Sequence, residues 1–311
     1  MSKTPISFEW LSGCSGCEVS VVDLHERLLN VLEKVEIVRL PILVDVKGYP
    51  KAKLGLLSGA LRTEHDITSA KKMRESCDII MAFGTCAVFG GPQGSGFAHT
   101  LDELTDAAFR KNSSTRTDTV PNENLSPLLA SGVRPVDSVI EIDRYLPGCP
   151  PHPSFIFEAL ISILENREPD FGSHNVCFKC NRKMKKTDVT TLRRYHDGPV
   201  DPELCFLSQG IICSGSAALD RCLAPCPKHG VPCLGCAGPS EHIILEPYRD
   251  VRTEMAQRMS MLTQIPMEDI VTEIEKQAKT YYAYAMTSPV FRQKPTFLLQ
   301  RWVSSSEGDR V

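Results

Sequence analysis

The chain has 311 residues, of which 42% are hydrophobic and 23% charged, so it can bury a sizeable core and divide into two domains. Its formal net charge of -3 offers no basic footprint for nucleic acid, and no apolar run is long enough to span a membrane. The opening MSKTPISFEWLSG has neither the pattern of a secretory signal nor a twin-arginine motif, so we expect a cytoplasmic protein.

Strands and helices alternate along the first 165 residues. Compact apolar runs predict strands at 6–11, 36–40, 54–57, 78–83 and 137–146. Apolar residues at helical spacing predict helices at 18–34, 68–77 and 154–166. This alternation is typical of an α/β protein with a doubly wound, mostly parallel sheet, and it predicts a flavodoxin-like first domain over 1–165.

The character of the chain changes from residue 166. Cysteine, glycine, proline and short basic runs replace the regular apolar pattern as far as Ser240. Helical patterns return at 251–263 and 267–285, and a polar tail, SSSEGDRV, follows. The sequence therefore predicts a second, irregular domain over 166–311 with C-terminal helices, which lacks enough regular apolar positions to form a core without help.

The chain contains thirteen cysteines, and a disulfide framework is a poor explanation for them. A reducing compartment keeps thiols free, and a core of this size needs no covalent cross-links. We therefore expect most of the cysteines to bind metal or redox cofactors.

Four of these cysteines follow predicted strands. Cys14 and Cys17 come after the first strand, Cys86 follows the strand at 78–83, and Cys149 follows the strand at 137–146. The carboxyl ends of parallel strands face one crevice, so we expect the four thiols to meet there. Zinc and iron–sulfur clusters both accept four thiolates, but one local pair joined to two remote cysteines favours a 4Fe-4S cluster.

Eight later cysteines form two further sets of four. The first set is Cys177, Cys180, Cys205 and Cys213, and the second is Cys222, Cys226, Cys233 and Cys236. Three 4Fe-4S clusters would make the chain an electron-transfer protein, whereas spacing alone leaves two zinc ribbons open for these sets. Cys77 remains, and a buried structural thiol is its simplest interpretation.

Four stretches, CSGCEVS, GTCAVFGG, LPGCPPHP and CPKHGVPCLGCAGP, resemble the small subunit of nickel-iron hydrogenases. The resemblance extends to about Pro239. It is greatest to the cytoplasmic, methyl-viologen-reducing and deazaflavin-non-reducing enzymes of methanogens and their relatives, which are associated with heterodisulfide reductase.

The resemblance implies a role for each set of cysteines. Cys14, Cys17, Cys86 and Cys149 would bind the proximal 4Fe-4S cluster, Cys222, Cys226, Cys233 and Cys236 the medial one, and Cys177, Cys180, Cys205 and Cys213 the distal one. Cys177 stands where periplasmic relatives have a histidine, and Cys226 where they often have proline. His174 is a possible competing ligand. The nickel-iron centre would lie in a partner large subunit, and electrons would leave to an iron–sulfur adaptor and heterodisulfide reductase.

Two features near the cysteines have more than one interpretation. Glu18 follows Cys17 and is either a proton relay or an exposed glutamate in the first turn of a helix. A basic stretch is either a solvated face or a surface that steers an acidic electron acceptor. It consists of Lys179, Arg182, Lys183, Lys185, Lys186, Arg193 and Arg194.

Three other protein classes remain as alternatives. A binding or assembly protein stabilised by zinc would use the same cysteines. A related quinone-reductase subunit is expected to have adjacent cysteines at the first site and to lack the eight later ones. Another cytoplasmic hydrogenase small subunit would differ only in its electron acceptor.

Overall fold

A computed structural model describes residues 3–41, 43–115, 119–121 and 124–292, so the polar tail lies outside the described residues. Five strands of the described chain form a parallel sheet in the order β2-β1-β3-β4-β5. They are β1 (Thr4–Trp10), β2 (Val35–Arg39), β3 (Ala52–Ser58), β4 (Cys77–Phe83) and β5 (Arg144–Leu146). This is the flavodoxin-like strand order, so the predicted fold is confirmed.

Helices cover both faces of the sheet. The first half contains α1 (Gly16–Val22), α2 (Glu26–Lys34), α3 (Glu64–Ser76), α4 (Thr85–Phe89), α5 (Leu101–Thr105) and α6 (Pro153–Leu164). Because side chains alternate along a strand, Met81 and Phe83 of β4 pack on the side of α2 and α6, whereas Ile80 and Ala82 pack on the side of α3. Strand β4 is therefore apolar on both faces, as a parallel strand between helices should be.

Two predicted elements of the first half are wrong in their extent. The helix at 18–34 is divided into α1 and α2, because the chain turns at His25, whose φ is 52°. Of the strand at 137–146, only β5 forms, and Val136–Ser138 is a single turn of 3-10 helix. The carboxylate of Asp143 accepts the N–H of Ile80 at 2.7 Å, so a side chain takes the place of a backbone partner just before β5.

The second half ends in helices that follow an irregular segment. They are α7 (Pro225–Lys228), α8 (Glu241–Leu245), α9 (Val251–Leu262), α10 (Met267–Lys276), α11 (Ala278–Tyr281) and α12 (Pro289–Arg292). The predicted helix at 267–285 is therefore too long, because α10 ends at Lys276 and turns follow α11. Among the described residues, none of the helices has both the length and the apolar character needed to cross a bilayer.

The irregular segment supplies more of the core than its sequence indicates. Phe206, Leu207 and Ile211 are each at most 2% exposed and belong to the same buried cluster as Ile80 and Met255. That cluster connects the face of the sheet that packs on α3 with α9 and α10. The division between residues 165 and 166 falls just after α6 and stays a prediction.

Candidate metal centres

The four thiols predicted at the strand ends lie together at one edge of the sheet. The backbone N–H of Gly84, after β4, donates to the carbonyl of Leu146 in β5, and the N–H of Thr85 donates to Gly148, both at 2.8 Å. Burial raises the pKa of the Cys17 thiol, and negative charge on Glu18 raises it further. The other three thiols of this set, Cys14, Cys86 and Cys149, add to that effect on Cys17.

Two glycines let the backbone approach these sulfurs closely. Gly84 has a φ of 88°, and a Cβ there would lie 2.3 Å from Sγ of Cys17. Gly91 has a φ of 60°, and its Cβ would lie 2.6 Å from Sγ of Cys86. Both positions therefore require glycine, for backbone conformation and for space.

Glu18 lies in the first turn of α1, as predicted, but it is half-buried rather than exposed. The hydroxyl of Ser58, at the end of β3, donates to Oε1 of Glu18. Its Oε2 atom is buried and has no hydrogen-bond partner among the described residues. A buried carboxyl oxygen without a hydrogen-bond partner costs free energy in the isolated chain. This indicates that Oε2 of Glu18 contacts a group from another molecule in the working protein.

The second set of thiols lines one partly enclosed cavity. Cys177, Cys180, Cys205 and Cys213 all contribute to its wall. Burial raises the pKa of Cys177 to about 12, with further contributions from the other three thiols, Cys213 first. The N–H of Cys233 donates to Sγ of Cys213 at 3.2 Å, and a Cβ on Gly215 would lie 3.3 Å from Sγ of Cys177.

The third set lies between the other two. Burial raises the pKa of Cys222 to about 11, and negative charge on Cys236 and Cys226 contributes. The N–H of Gly235 donates to Sγ of Cys233 at 3.3 Å. Burial raises the pKa of Cys233 well above its usual range, and charge on Cys213 of the second set is the next largest cause.

The first and third sets are neighbours as well. Burial raises the pKa of Cys236 to about 11, and negative charge on Cys149 is the next largest cause. The hydroxyl of Thr85 donates to the carbonyl of Cys236 at 2.6 Å and accepts from the N–H of Gly148 at 2.9 Å. The three sets therefore stand in series, with the third set in the middle.

Each set has the chemistry that an iron–sulfur cluster needs. Four thiols converge, and glycine backbone or N–H groups face the sulfurs of each set, which is the arrangement that tunes bound clusters. Within the described ranges, no group of three or more His, Cys, Asp or Glu side chains is arranged to hold a single metal ion. The three sets fit iron–sulfur clusters because every donor in them is a sulfur and because the backbone approaches these sulfurs closely.

Two histidines near the cysteine sets and the remaining thiol of Cys77 make ordinary structural contacts. The ring of His174 stacks on Phe178 at 3.8 Å, and His174 lines a neighbouring cavity together with Cys177, so its role as a competing ligand stays a prediction. His152 accepts the N–H of Ser154 at 3.1 Å and so caps α6. Cys77 is 5% exposed at the start of β4, which confirms that it is buried.

Sequence patterns did not predict three contacts at or beside these sets. Arg182, interpreted as part of a solvated or steering basic face, is only 9% exposed and lines the cavity of the second set. Thr85 and Ser58 make the hydrogen bonds to Cys236 and Glu18. In the sequence, Thr85 stands out only as a small residue beside Cys86, and Ser58 only as the last residue of a buried strand.

Comparison with known proteins gives consistent matches. The family model described as "NADH ubiquinone oxidoreductase, 20 Kd subunit" matches residues 14–163. A subunit of the F420-non-reducing hydrogenase vhu of Methanocaldococcus jannaschii is 40% identical over 74% of this chain and 80% of its own length. The corresponding protein of Methanococcus voltae is 37% identical over 78% of this chain and 84% of its own length.

A solved structure agrees with these relatives. A chain of an NAD+-reducing [NiFe]-hydrogenase in the H2-reduced state is 32% identical, with a TM-score of 0.53, over 55% of this chain and 96% of that chain. The fold, the cysteine-rich second half and these matches define the small subunit of a nickel-iron hydrogenase, an iron–sulfur protein whose active site is in a large partner subunit. Within that class, the chain belongs to the family of small subunits of F420-non-reducing hydrogenases, which confirms the predicted family.

Proposed function

We propose that this subunit carries electrons from H2 oxidation in the large subunit through three 4Fe-4S clusters to an external acceptor. The proximal cluster would be held by Cys14, Cys17, Cys86 and Cys149, the medial cluster by Cys222, Cys226, Cys233 and Cys236, and the distal cluster by Cys177, Cys180, Cys205 and Cys213. When bound, such clusters supply one-electron transfer. The observation that carries the proposal is the serial order of the sets, in which Cys236 faces Cys149 and Cys233 contacts Cys213.

The large subunit would contact the edge of the sheet that carries the proximal set. Cys14 is exposed there, and Val19 and Val22 on α1 are each 57% exposed. Exposed apolar side chains beside a redox site give a partner a surface to bury. The proximal set would then lie nearest the nickel-iron centre.

Glu18 would relay protons at this same edge. Its Oε1 accepts a hydrogen bond from Ser58, while its buried Oε2 has no partner in the described structure and is available to a group from the large subunit. A carboxyl group held in this way can accept and release the protons that H2 cleavage produces.

The acceptor would bind at the other end of the series. Phe178, next to Cys177, is 60% exposed, and the ammonium group of Lys179 lies 5.3 Å from the centre of its ring. With the exposed Lys183, Lys185, Lys186 and Arg194, this surface suits an acidic partner. We propose a cytoplasmic complex in which that partner is an iron–sulfur adaptor of heterodisulfide reductase; purification of the native complex and identification of its subunits tests this.

A matched pair of cysteine substitutions tests the electron route. Cys86→Ser removes a proximal ligand, whereas Cys77→Ser changes a buried thiol outside the three sets. We expect Cys86→Ser to abolish H2-driven dye reduction and to affect the large subunit's own hydrogen isotope exchange much less. Cys77→Ser should retain both activities. Dye reduction by the Cys86→Ser complex at the wild-type rate would contradict the route.

A further inference from the structure

Arg182 carries a buried positive charge, and no ion pair among the described residues balances that charge. Its side chain donates to three backbone carbonyls, those of Pro227 at 2.9 Å, Asp201 at 2.7 Å and Leu204 at 3.0 Å. The guanidinium carbon also lies 4.0 Å from the centre of the Phe206 ring. Among the described residues, no carboxylate forms an ion pair with Arg182, although the next residue, Lys183, pairs with Glu203 at 3.1 Å.

A buried charge without a counter-ion is costly. Desolvation of an unpaired guanidinium is unfavourable, and carbonyl dipoles offset only part of that cost. The fold therefore places Arg182 where some anion of the working protein should lie close to it.

The thiols of the distal set lie beside Arg182, and they become anionic when they bind a cluster as thiolates. Cys177, Cys180, Cys205 and Cys213 line the same partly enclosed cavity as Arg182. The positive charge of Arg182 also acts on Cys205, where it opposes the rise in pKa that burial causes. Arg258 acts on Cys177 in the same sense, but it is 45% exposed and paired with Glu254 at 3.1 Å, so its field is more screened and already balanced.

Building on the proposed function, we propose that Arg182 is a positioning residue for the distal cluster that sets its reduction potential. Four thiolates make a bound cluster anionic, and reduction adds one more electron. A buried cation beside the cluster stabilises the reduced form more than the oxidised form, so Arg182 raises the potential of the distal cluster. Electrons are thereby drawn from the medial to the distal set, towards the exit.

The same side chain connects the distal and medial sets. Its Nε atom donates to Pro227, the residue after Cys226 in α7. Removal of the side chain would therefore alter structure as well as charge, so the test must separate the two effects.

Two substitutions of Arg182 provide the first comparison. Arg182→Lys keeps the charge and loses the planar fork, whereas Arg182→Gln keeps hydrogen-bond donors and loses the charge. The midpoint potentials of all three clusters are measured in the hydrogenase complex by redox titration followed with electron paramagnetic resonance. We expect the distal potential to shift to more negative values in Arg182→Gln and to stay near the wild-type value in Arg182→Lys. A fully iron-loaded Arg182→Gln complex with an unshifted distal potential would overturn the proposal.

A second pair of substitutions, both at Gly230, leaves Arg182 unchanged. A Cβ on Gly230 would lie 3.9 Å from Nη2 of Arg182 with no other atom within 4 Å, and Gly230 has a φ of 86°, a region that asparagine and aspartate tolerate best after glycine. Gly230→Asp and Gly230→Asn impose the same strain and shape, but only aspartate neutralises the guanidinium. We expect a more negative distal potential in Gly230→Asp than in Gly230→Asn, and equal values would count against the proposal even if Arg182→Gln did not fold.

Iron analysis distinguishes a failure of this inference from a failure of the proposed function on which it rests. A wild-type complex without a cluster at the distal set would refute the proposed electron route. A wild-type complex with all of its iron, combined with equal potentials in both Gly230 variants, would refute only the role of Arg182.

Discussion

The hydroxyl of Thr85 donates a hydrogen bond to the carbonyl oxygen of Cys236 at 2.6 Å, although the two residues are 151 positions apart in the chain. The same hydroxyl accepts from the N–H of Gly148, next to Cys149. One side chain, 1% exposed, thus holds the loop of a proximal cysteine against the loop of a medial cysteine. The relative position of the two sets depends on this contact as well as on packing.

Thr85→Val should therefore weaken the junction between the proximal and medial sets. Valine has nearly the shape of threonine but leaves the carbonyl of Cys236 and the N–H of Gly148 without a partner, at about 1–3 kcal/mol for each group. We expect the free energy of unfolding of the anaerobically loaded protein to fall by roughly 3 kcal/mol, measured with guanidinium chloride. Thr85→Ser keeps the hydroxyl and should lose less; a valine variant as stable as the serine variant would show that these hydrogen bonds matter little.

Gly84→Ala should remove the proximal cluster. The new methyl group would lie 2.3 Å from Sγ of Cys17, at a residue whose φ is 88°. Gly132→Ala is the matched control, because its φ is 74° but nothing lies within 4 Å of the new carbon. We expect Gly84→Ala to lose about four irons per chain and Gly132→Ala to keep them all, as measured by iron analysis. Full iron content in Gly84→Ala would mean that the Cys17 loop can move away at no cost to the site.

Glu18→Gln should slow catalysis without loss of iron. The amide keeps the shape of the carboxylate and can still accept the hydrogen bond from Ser58, but it cannot take up a proton. Positioned acid–base groups contribute about 10²-fold or more, so we expect H2-driven dye reduction to fall by about that factor, with a changed solvent isotope effect. Glu26→Gln, at the exposed start of α2, should leave the rate unchanged. Equal rates in the two variants would exclude Glu18 from the proton path.

The sequence predicts most of the sheet because its strands are short runs rich in apolar residues. The cysteines after β1, β4 and β5 could be placed together for the same reason, since parallel strands end at one edge. The extent of β5 could not be predicted, because the apolar residues before it suit a strand and only the contact between Asp143 and Ile80 shows where pairing begins. The break between α1 and α2 is hidden in a similar way, because Leu24 keeps the apolar spacing and is 1% exposed within the turn.

Residues that depend on distant contacts are the hardest to predict. Arg182 lies in a run of basic residues, and the pattern alone assigns all of them to solvent. Its burial results from Phe206 and Pro227, which the chain brings to it from 24 and 45 positions away. The assignment of the eight later cysteines to a medial and a distal cluster stays a prediction, because it rests on their order in the chain and on the family resemblance.

Metal analysis of the anaerobically isolated protein tests the central claim most directly. Iron, acid-labile sulfide and zinc are measured per chain, and electron paramagnetic resonance spectra are recorded after chemical reduction. Three 4Fe-4S clusters require about twelve irons and about twelve sulfides, a broad brown absorbance and paramagnetic signals on reduction. A colourless protein that contains zinc and gives no paramagnetic signal would contradict the account.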